Sequence, residues 1–283
     1  MACDPSLLKP IGPGTRAVVV GAGRSGRAAT RLLRAVGASV RLLEKTPERI
    51  TADFAAWADK AGVAVLGGDH HPAQFEGADL VVPSPGAALS SLRPLLSAAS
   101  AGGEGGPEVL AETELAWRHL DGEPVIGITG TSGKTTTTSL CAAMLEAQGL
   151  TVFTGGNIGT PLSEYVLERR AGTRPEADVL VLELSSFQLQ TCQSLRPRVG
   201  VLLNIAENHL DYHRDMAEYI EAKMRLFRCQ TPADLAVVAP SLTGLPERFH
   251  IRSRLVYYSS VLSAAPRASR PGSIPLPVRP VPS

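Results

Sequence analysis

The chain has 283 residues, enough for one large or two ordinary domains, and 44% hydrophobic residues from which to build their cores. A net charge of +1, with 19% charged residues, excludes the basic face of a nucleic-acid binder. No apolar run approaches the roughly 20 residues of a membrane span, and the start Met1-Ala2-Cys3-Asp4-Pro5 lacks a secretion signal's basic and apolar regions. Cys3, Cys141, Cys192 and Cys229 form no C-x-x-C pair, so they read as lone thiols of a cytoplasmic protein.

The first third alternates strand and helix signals. Arg16 to Val20 is an apolar run that ends in Gly21-Ala22-Gly23-Arg24-Ser25-Gly26, a G-x-G-x-x-G turn, and Ser25 to Val36 follows at helical spacing until Gly37 stops it. Ser39 to Leu43 is the next strand, and Glu44 at its end lies where dinucleotide folds keep a ribose-binding carboxylate. The turn by itself fits NAD, another nucleotide ligand, or a purely structural junction. A helix around Asp53 to Ala61 leads to strands at Val63 to Leu66 and Leu80 to Val82, the second ending in Ser84-Pro85-Gly86. That triplet offers a hydroxyl and a close backbone approach at a strand's C-terminal end, and a plain turn explains it equally well. Gly102, Gly103, Gly105 and Gly106 mark a loop; a strand from Glu108 to Leu110 and a helix from Glu112 to His119 close the unit. The turn-rich Asp121-Gly122-Glu123-Pro124 places a domain boundary between residues 121 and 122.

Pro124 to Thr129 is a strand, followed by Gly130-Thr131-Ser132-Gly133-Lys134-Thr135-Thr136 and a helix over Thr137 to Gln148. Strand, glycine loop with lysine, then helix is the phosphate-cradling order of a P-loop: backbone N–H groups converge on phosphate oxygens at a helix N-terminus. Lys134 supplies a point charge to the β- and γ-phosphates, and Thr135 reaches Mg²⁺. The strict pattern asks for glycine at position 128, where the chain has Ile128. Thr151 to Phe153 is a strand before Gly155-Gly156-Asn157-Ile158-Gly159-Thr160-Pro161, and the buried strand Val179 to Leu182 delivers Glu183 to the same edge as the P-loop. Glu183 there either holds Mg²⁺ or caps a turn. Val199 to Leu203 is another strand, and Asn208-His209-Leu210-Asp211 follows it; His209 reads as a turn histidine or a ligand near a metal. Lys223 by itself reads as an exposed helix lysine.

Gly127 to Thr136, Gly156-Asn157-Ile158-Gly159 and Glu183-Leu184-Ser185-Ser186-Phe187-Gln188-Leu189 together resemble the Mur ligase family. The last stretch is most similar to the branch that adds D-glutamate to UDP-N-acetylmuramoyl-L-alanine in peptidoglycan synthesis. Asn208 to Asp211, Ala222 to Phe227, the Gly21 to Gly26 turn and Ser84-Pro85-Gly86 carry the resemblance across residues 15–240. It implies an α/β chain: a Rossmann-like UDP-substrate domain over 1–121 and a P-loop-type ATP domain over 122–250; residues 251–283 read by their prolines as a disordered tail. It implies an ATP-dependent ligase working through an acyl phosphate, with UDP-N-acetylmuramoyl-L-alanine, D-glutamate and ATP as partners. Gly130, Thr131, Ser132, Gly133, Lys134, Thr135 and Thr136 would bind ATP. Gly23, Arg24, Ser25, Glu44, Lys45, Thr46, Ser84, Pro85, Gly86 and Asn157 would bind the UDP substrate. Two Mg²⁺ ions would be held by Thr135, Glu183, His209 and Lys223, the lysine as a CO₂-derived carbamate. Lys134, His209 and Lys223 would be catalytic.

Three departures stand out. Ser132 and Asn208 replace the family's usual Asn and Asp. The family's later H-N-x-x-N motif and its amino-acid-binding domain have no counterpart, and six of the 22 prolines fall in residues 266–283, too many for a ladder or a packed face. That break reads as an out-of-frame end or a linker. A UDP-sugar- and ATP-binding fragment without turnover, a folylpolyglutamate-synthase-like ligase and, more remotely, a dehydrogenase are the alternatives.

Overall fold

The computed structural model describes residues 3, 8–100, 106–208 and 212–258. In the first unit, β1 (Arg16–Val20), β2 (Ser39–Glu44), β3 (Ala64–Gly67), β4 (Leu80–Pro83) and β5 (Glu108–Val109) form a parallel sheet in the order β3-β2-β1-β4-β5. Its helices are α1 (Arg24–Ala35), α2 (Ala52–Lys60), α3 (Leu89–Ala99) and α4 (Glu112–Trp117). The second unit orders its strands β11-β10-β9-β6-β8-β7, all parallel. They are β6 (Val125–Thr129), β7 (Val152–Gly156), β8 (Val179–Glu183), β9 (Val199–Leu202), β10 (Leu235–Val238) and β11 (Arg254–Tyr257). Its helices are α5 (Lys134–Glu146), α6 (Leu162–Arg170), α7 (Ser186–Leu189), α8 (Met216–Met224) and α9 (Gly244–Arg248).

Continuous apolar runs such as Val18-Val19-Val20 and Leu180-Val181-Leu182 are buried because helices cover both faces of each parallel sheet. In each sheet the strand preceding the glycine loop, β1 or β6, sits where the chain order reverses. This is the crevice where open parallel sheets take ligands. α1 and α4 pack on α6, so Leu33, Leu115 and Tyr165 belong to one core that spans both units.

The structure differs from the sequence expectation in three places. Helix α3, not anticipated, follows the Ser84-Pro85-Gly86 turn and contains Pro94. Arg254–Tyr257 pairs with β10 and Tyr258 donates to the Leu203 carbonyl, so the start of the expected tail is a sheet strand; residues 259–283 lie outside the described residues. Cys3 and Cys229 are not lone thiols: they form a disulfide with Cα atoms 5.0 Å apart, across a sequence separation no spacing pattern covers. Among the described residues no helix is long and apolar enough to cross a membrane.

Candidate functional site

The loops after β1, β2 and β4 enclose a cavity of about 810 Å³. Gly21, at φ 98°, turns the chain so that α1 starts beneath it, and a Cβ at Gly26 would stand 1.8 Å from the Gly21 carbonyl oxygen. Only glycine permits that contact between helix and turn. Gly23 caps α1 without a side chain, leaving the helix's first N–H groups directed at the cavity, a ready place for a diphosphate. Gly23, Arg24, Ser25, Glu44, Lys45, Thr46, Ser84, Pro85 and Gly86 all line it. Glu44, 4% exposed, turns back on the loop: its Oε2 accepts from Ala22 N at 2.6 Å and its Oε1 from Thr46 N at 2.9 Å. Its carboxylate therefore shapes the turn first, leaving spare lone pairs for a ligand. Ser84 Oγ donates to the Gly21 carbonyl at 3.1 Å, tying the two glycine-bearing loops together. His70 also lines the cavity, and burial lowers its pKa; it carries no motif by which sequence would find it.

The second site lies at the C-terminal ends of β6, β8 and β9. Ile128 is a buried strand residue packed with Ala142 and Val181, which explains why this position tolerates a side chain: the loop proper begins at Gly130. Gly133 adopts φ 80° and launches α5. Lys134 folds back over the loop, Nζ donating to Gly130 O at 3.1 Å and Thr131 O at 3.0 Å. Glu183, 2% exposed, accepts from Thr135 Oγ1 and from Asn157 Nδ2, each at 2.7 Å. Gly156, at φ 95°, allows this: a Cβ there would lie 2.4 Å from the Glu183 carbonyl oxygen, which accepts from Asn157 N at 2.8 Å.

Lys223 is 1% exposed, contrary to its isolated reading as a surface lysine. Its Nζ donates to Gly130 O at 2.9 Å, the same carbonyl that receives Lys134. Burial, then the neighbouring Lys134 charge, lowers its pKa from 10.5 to about 7. The Tyr219 ring stands 4.6 Å from the amine, and the Tyr219 hydroxyl meets Thr131 Oγ1 at 2.9 Å.

The structure thus brings Lys134, Thr135, Asn157, Glu183 and Lys223 to one edge, while Ser132 is exposed on the loop and Thr136 in the first turn of α5. His209 lies outside the described residues. Among the described residues no three His, Cys, Asp or Glu side chains cluster as a preformed metal site. Two contributors were missed. Asn204, just beyond β9, holds the loop through Oδ1 to Ser132 N at 2.9 Å and Nδ2 to Ser132 O at 3.0 Å. Tyr219 is the other; its position one helical turn before Lys223 was the available signal.

The profile of the Mur ligase middle domain matches residues 128–247. Among curated proteins, the chain is 58% identical over 270 residues to the UDP-N-acetylmuramoylalanine–D-glutamate ligase of Nitratidesulfovibrio vulgaris, covering 94% of this chain and 60% of that protein. Against the protein of the same name from Lawsonia intracellularis the identity is 48%, over 90% of this chain and 56% of the relative. The chain therefore spans about 60% of the length of the curated relatives it matches. Its fold is similar to a Neisseria meningitides structure described as UDP-N-acetylmuramate:L-alanyl-gamma-D-glutamyl-meso-diaminopimelate ligase, with a TM-score of 0.52 at 19% identity over 86% of this chain and 77% of that one. With both glycine loops, Glu183 and Lys223 in place, the chain carries a match to the Mur ligase middle domain over residues 128–247 and is similar to Mur ligases along nearly its whole length.

Proposed function

We propose that this chain binds UDP-N-acetylmuramoyl-L-alanine and Mg·ATP and activates the substrate carboxylate for ATP-dependent ligation to D-glutamate. The observation that carries this reading is the meeting of Lys134, Lys223, Thr135, Asn157 and Glu183 at one sheet edge. The front cavity takes the UDP moiety, its diphosphate at the open N-terminus of α1. Lys134 leaves its two carbonyl partners for the β- and γ-phosphates when ATP enters. The substrate carboxylate attacks the γ-phosphorus, the bond to the ADP oxygen breaks, and the amine of D-glutamate then displaces phosphate from the acyl carbon. Lys134 offsets charge on the transferring phosphoryl group, and Asn157 orients the carboxylate near it.

Mg²⁺ fits the donor set: Thr135 and Glu183 are hard oxygen ligands that meet at 2.7 Å, and an ion held by one carboxylate and one hydroxyl keeps waters and phosphates for its other positions. Bound there, magnesium would neutralise phosphate charge. A second ion would rest on His209 and on Lys223 as a carbamate. A pKa of about 7 leaves roughly half of the Lys223 amine neutral at pH 7, free to form an N–C bond with CO₂ as its proton leaves to water.

Calorimetric titration of the chain with Mg·ATP and with UDP-N-acetylmuramoyl-L-alanine tests the reading. Lys134→Ala is expected to weaken Mg·ATP about a hundred-fold, or roughly 3 kcal/mol, while leaving the UDP ligand's affinity unchanged. Equal Mg·ATP affinity in parent and variant would overturn the assignment of the loop.

A further inference from the structure

Three consecutive residues of α4 reach from the first unit into three different segments of the second. Glu112 Oε1 accepts from Ser163 N in the first turn of α6 at 2.6 Å. Thr113 Oγ1 accepts from Gln188 Nε2 of α7 at 3.1 Å. Glu114 accepts from Ser194 N and Oγ at 2.8 and 2.6 Å and from Leu195 N at 3.0 Å, with Arg118 beside it at 3.0 Å. All three side chains are at most 3% exposed. Burying a carboxylate costs several kcal/mol unless its lone pairs are filled; both Glu114 oxygens have donors, whereas Glu112 Oε2 has none among the described residues and burial raises the Glu112 pKa. The two glutamates dock one unit on the other, and between them Thr113 touches the segment that follows Glu183.

Gln188 is fully specified. Its Oε1 receives both Ser185 N and Ser185 Oγ at 3.0 Å, so its amide nitrogen has to face Thr113. This closes residues 185–188 into a capped turn immediately after Glu183. From the same α7, Ser186 Oγ meets His213 Nε2 at 2.9 Å, and the Phe187 and Tyr212 rings stand 4.0 Å apart. Tyr212 and Leu89, at the start of α3, line one small cavity with Ser84 and Pro85 of the turn beside the front cavity. Helix α7 is therefore tied to the first unit by the Thr113 hydrogen bond and lies beside it at Tyr212.

We infer that Thr113 is a positioning residue: acting through Gln188, it holds the 184–190 segment so that Glu183 faces Thr135 and Asn157. The inference rests on the placement of Mg·ATP at Glu183 proposed above. Thr113 touches no proposed ligand, so its effect is confined to the geometry it imposes. Thr113→Val preserves volume, removes the acceptor and leaves Gln188 Nε2 buried without it; Thr113→Ser keeps the hydroxyl.

The test measures amide hydrogen exchange and Mg·ATP and UDP-N-acetylmuramoyl-L-alanine affinities for the whole chain and both variants. In Thr113→Val, amides of residues 184–190 are expected to exchange about ten-fold faster and Mg·ATP to bind about ten-fold more weakly. The UDP ligand stays within two-fold of the parent, and Thr113→Ser behaves like the parent throughout. Unchanged exchange in Thr113→Val, equal weakening in Thr113→Ser, or parallel loss of both ligands would overturn the inference. Faster exchange with parental Mg·ATP affinity would also overturn it, because the contact would then serve the fold alone. If the parent binds no Mg·ATP, the proposed function fails, and exchange alone decides the inference: faster in Val and parental in Ser upholds the tie from Thr113 to the Glu183 segment, and any other pattern refutes it.

Discussion

Replacing Lys223 by Met gives a direct measure of the cost of its burial. The folded pKa of about 7 lies below the ordinary 10.5, so between these values the unfolded chain holds a proton that the folded chain has released. Stability therefore rises with pH across this window, and the amine withholds about 5 kcal/mol at and below pH 7 relative to pH above 10.5. Methionine matches the stem in length and carries no charge. It also forfeits the hydrogen bond to Gly130 O, about 1 to 3 kcal/mol for a charged donor, although Lys134 still satisfies that carbonyl. Burial outweighs the lost bond. Lys223→Met is expected to be more stable than the parent by about 2 to 4 kcal/mol at pH 6.5 in CO₂-free buffer, the gain shrinking steadily and reversing near pH 10. Urea unfolding at a series of pH values, with the slope checked for constancy, measures this. A difference independent of pH, or a variant less stable at pH 6.5, would refute the perturbed amine.

Two further outcomes follow from the site. With ¹³C-labelled bicarbonate at pH 8, the parent should show a carbamate carbonyl resonance that is absent from Lys223→Met; its absence from the parent would remove the carbamate from the proposal. In the front cavity, the proposed function has UDP-N-acetylmuramoyl-L-alanine bind more tightly than NAD⁺ by calorimetry; the reverse order would restore the dinucleotide reading.

What sequence disclosed and what it hid divide along physical lines. The loops were legible because a few adjacent residues determine them: Gly21 and Gly26 must pass a carbonyl closely, and Gly133 must take the left-handed turn that launches α5. Glu183 was legible as an acid at the end of a buried strand. Helix α3 was hidden because Pro94 and its serines match loop composition, and packing on the sheet overrides them. β11 escaped because its four exposed residues show no buried face; pairing with β10 makes it a strand. The Cys3–Cys229 disulfide joins positions that no local pattern relates. Glu44 was placed correctly at the end of β2, but spacing cannot say that a carboxylate will turn back on its own glycine loop.

Lys223 shows the same limit at the centre of the site. Charged Glu221 and Arg225 stand two positions to either side of it, and by composition nothing separates it from an exposed lysine. Its environment comes from another segment: β6 ends in a carbonyl that points at α8, and Lys134 folds onto that carbonyl too. Two amines at one acceptor in a water-poor site cannot both remain cheaply charged, and the more buried one yields its proton. The Gly130 carbonyl holds both amines together, while burial first and the Lys134 charge second bring Lys223 toward neutrality. Moving Lys134 to the phosphates would relieve the repulsion and raise the Lys223 pKa, so an amine not yet converted to a carbamate would become harder to convert once the nucleotide is bound. If the proposed carbamate and nucleotide sites hold, this coupling would favour carbamate formation before nucleotide binding.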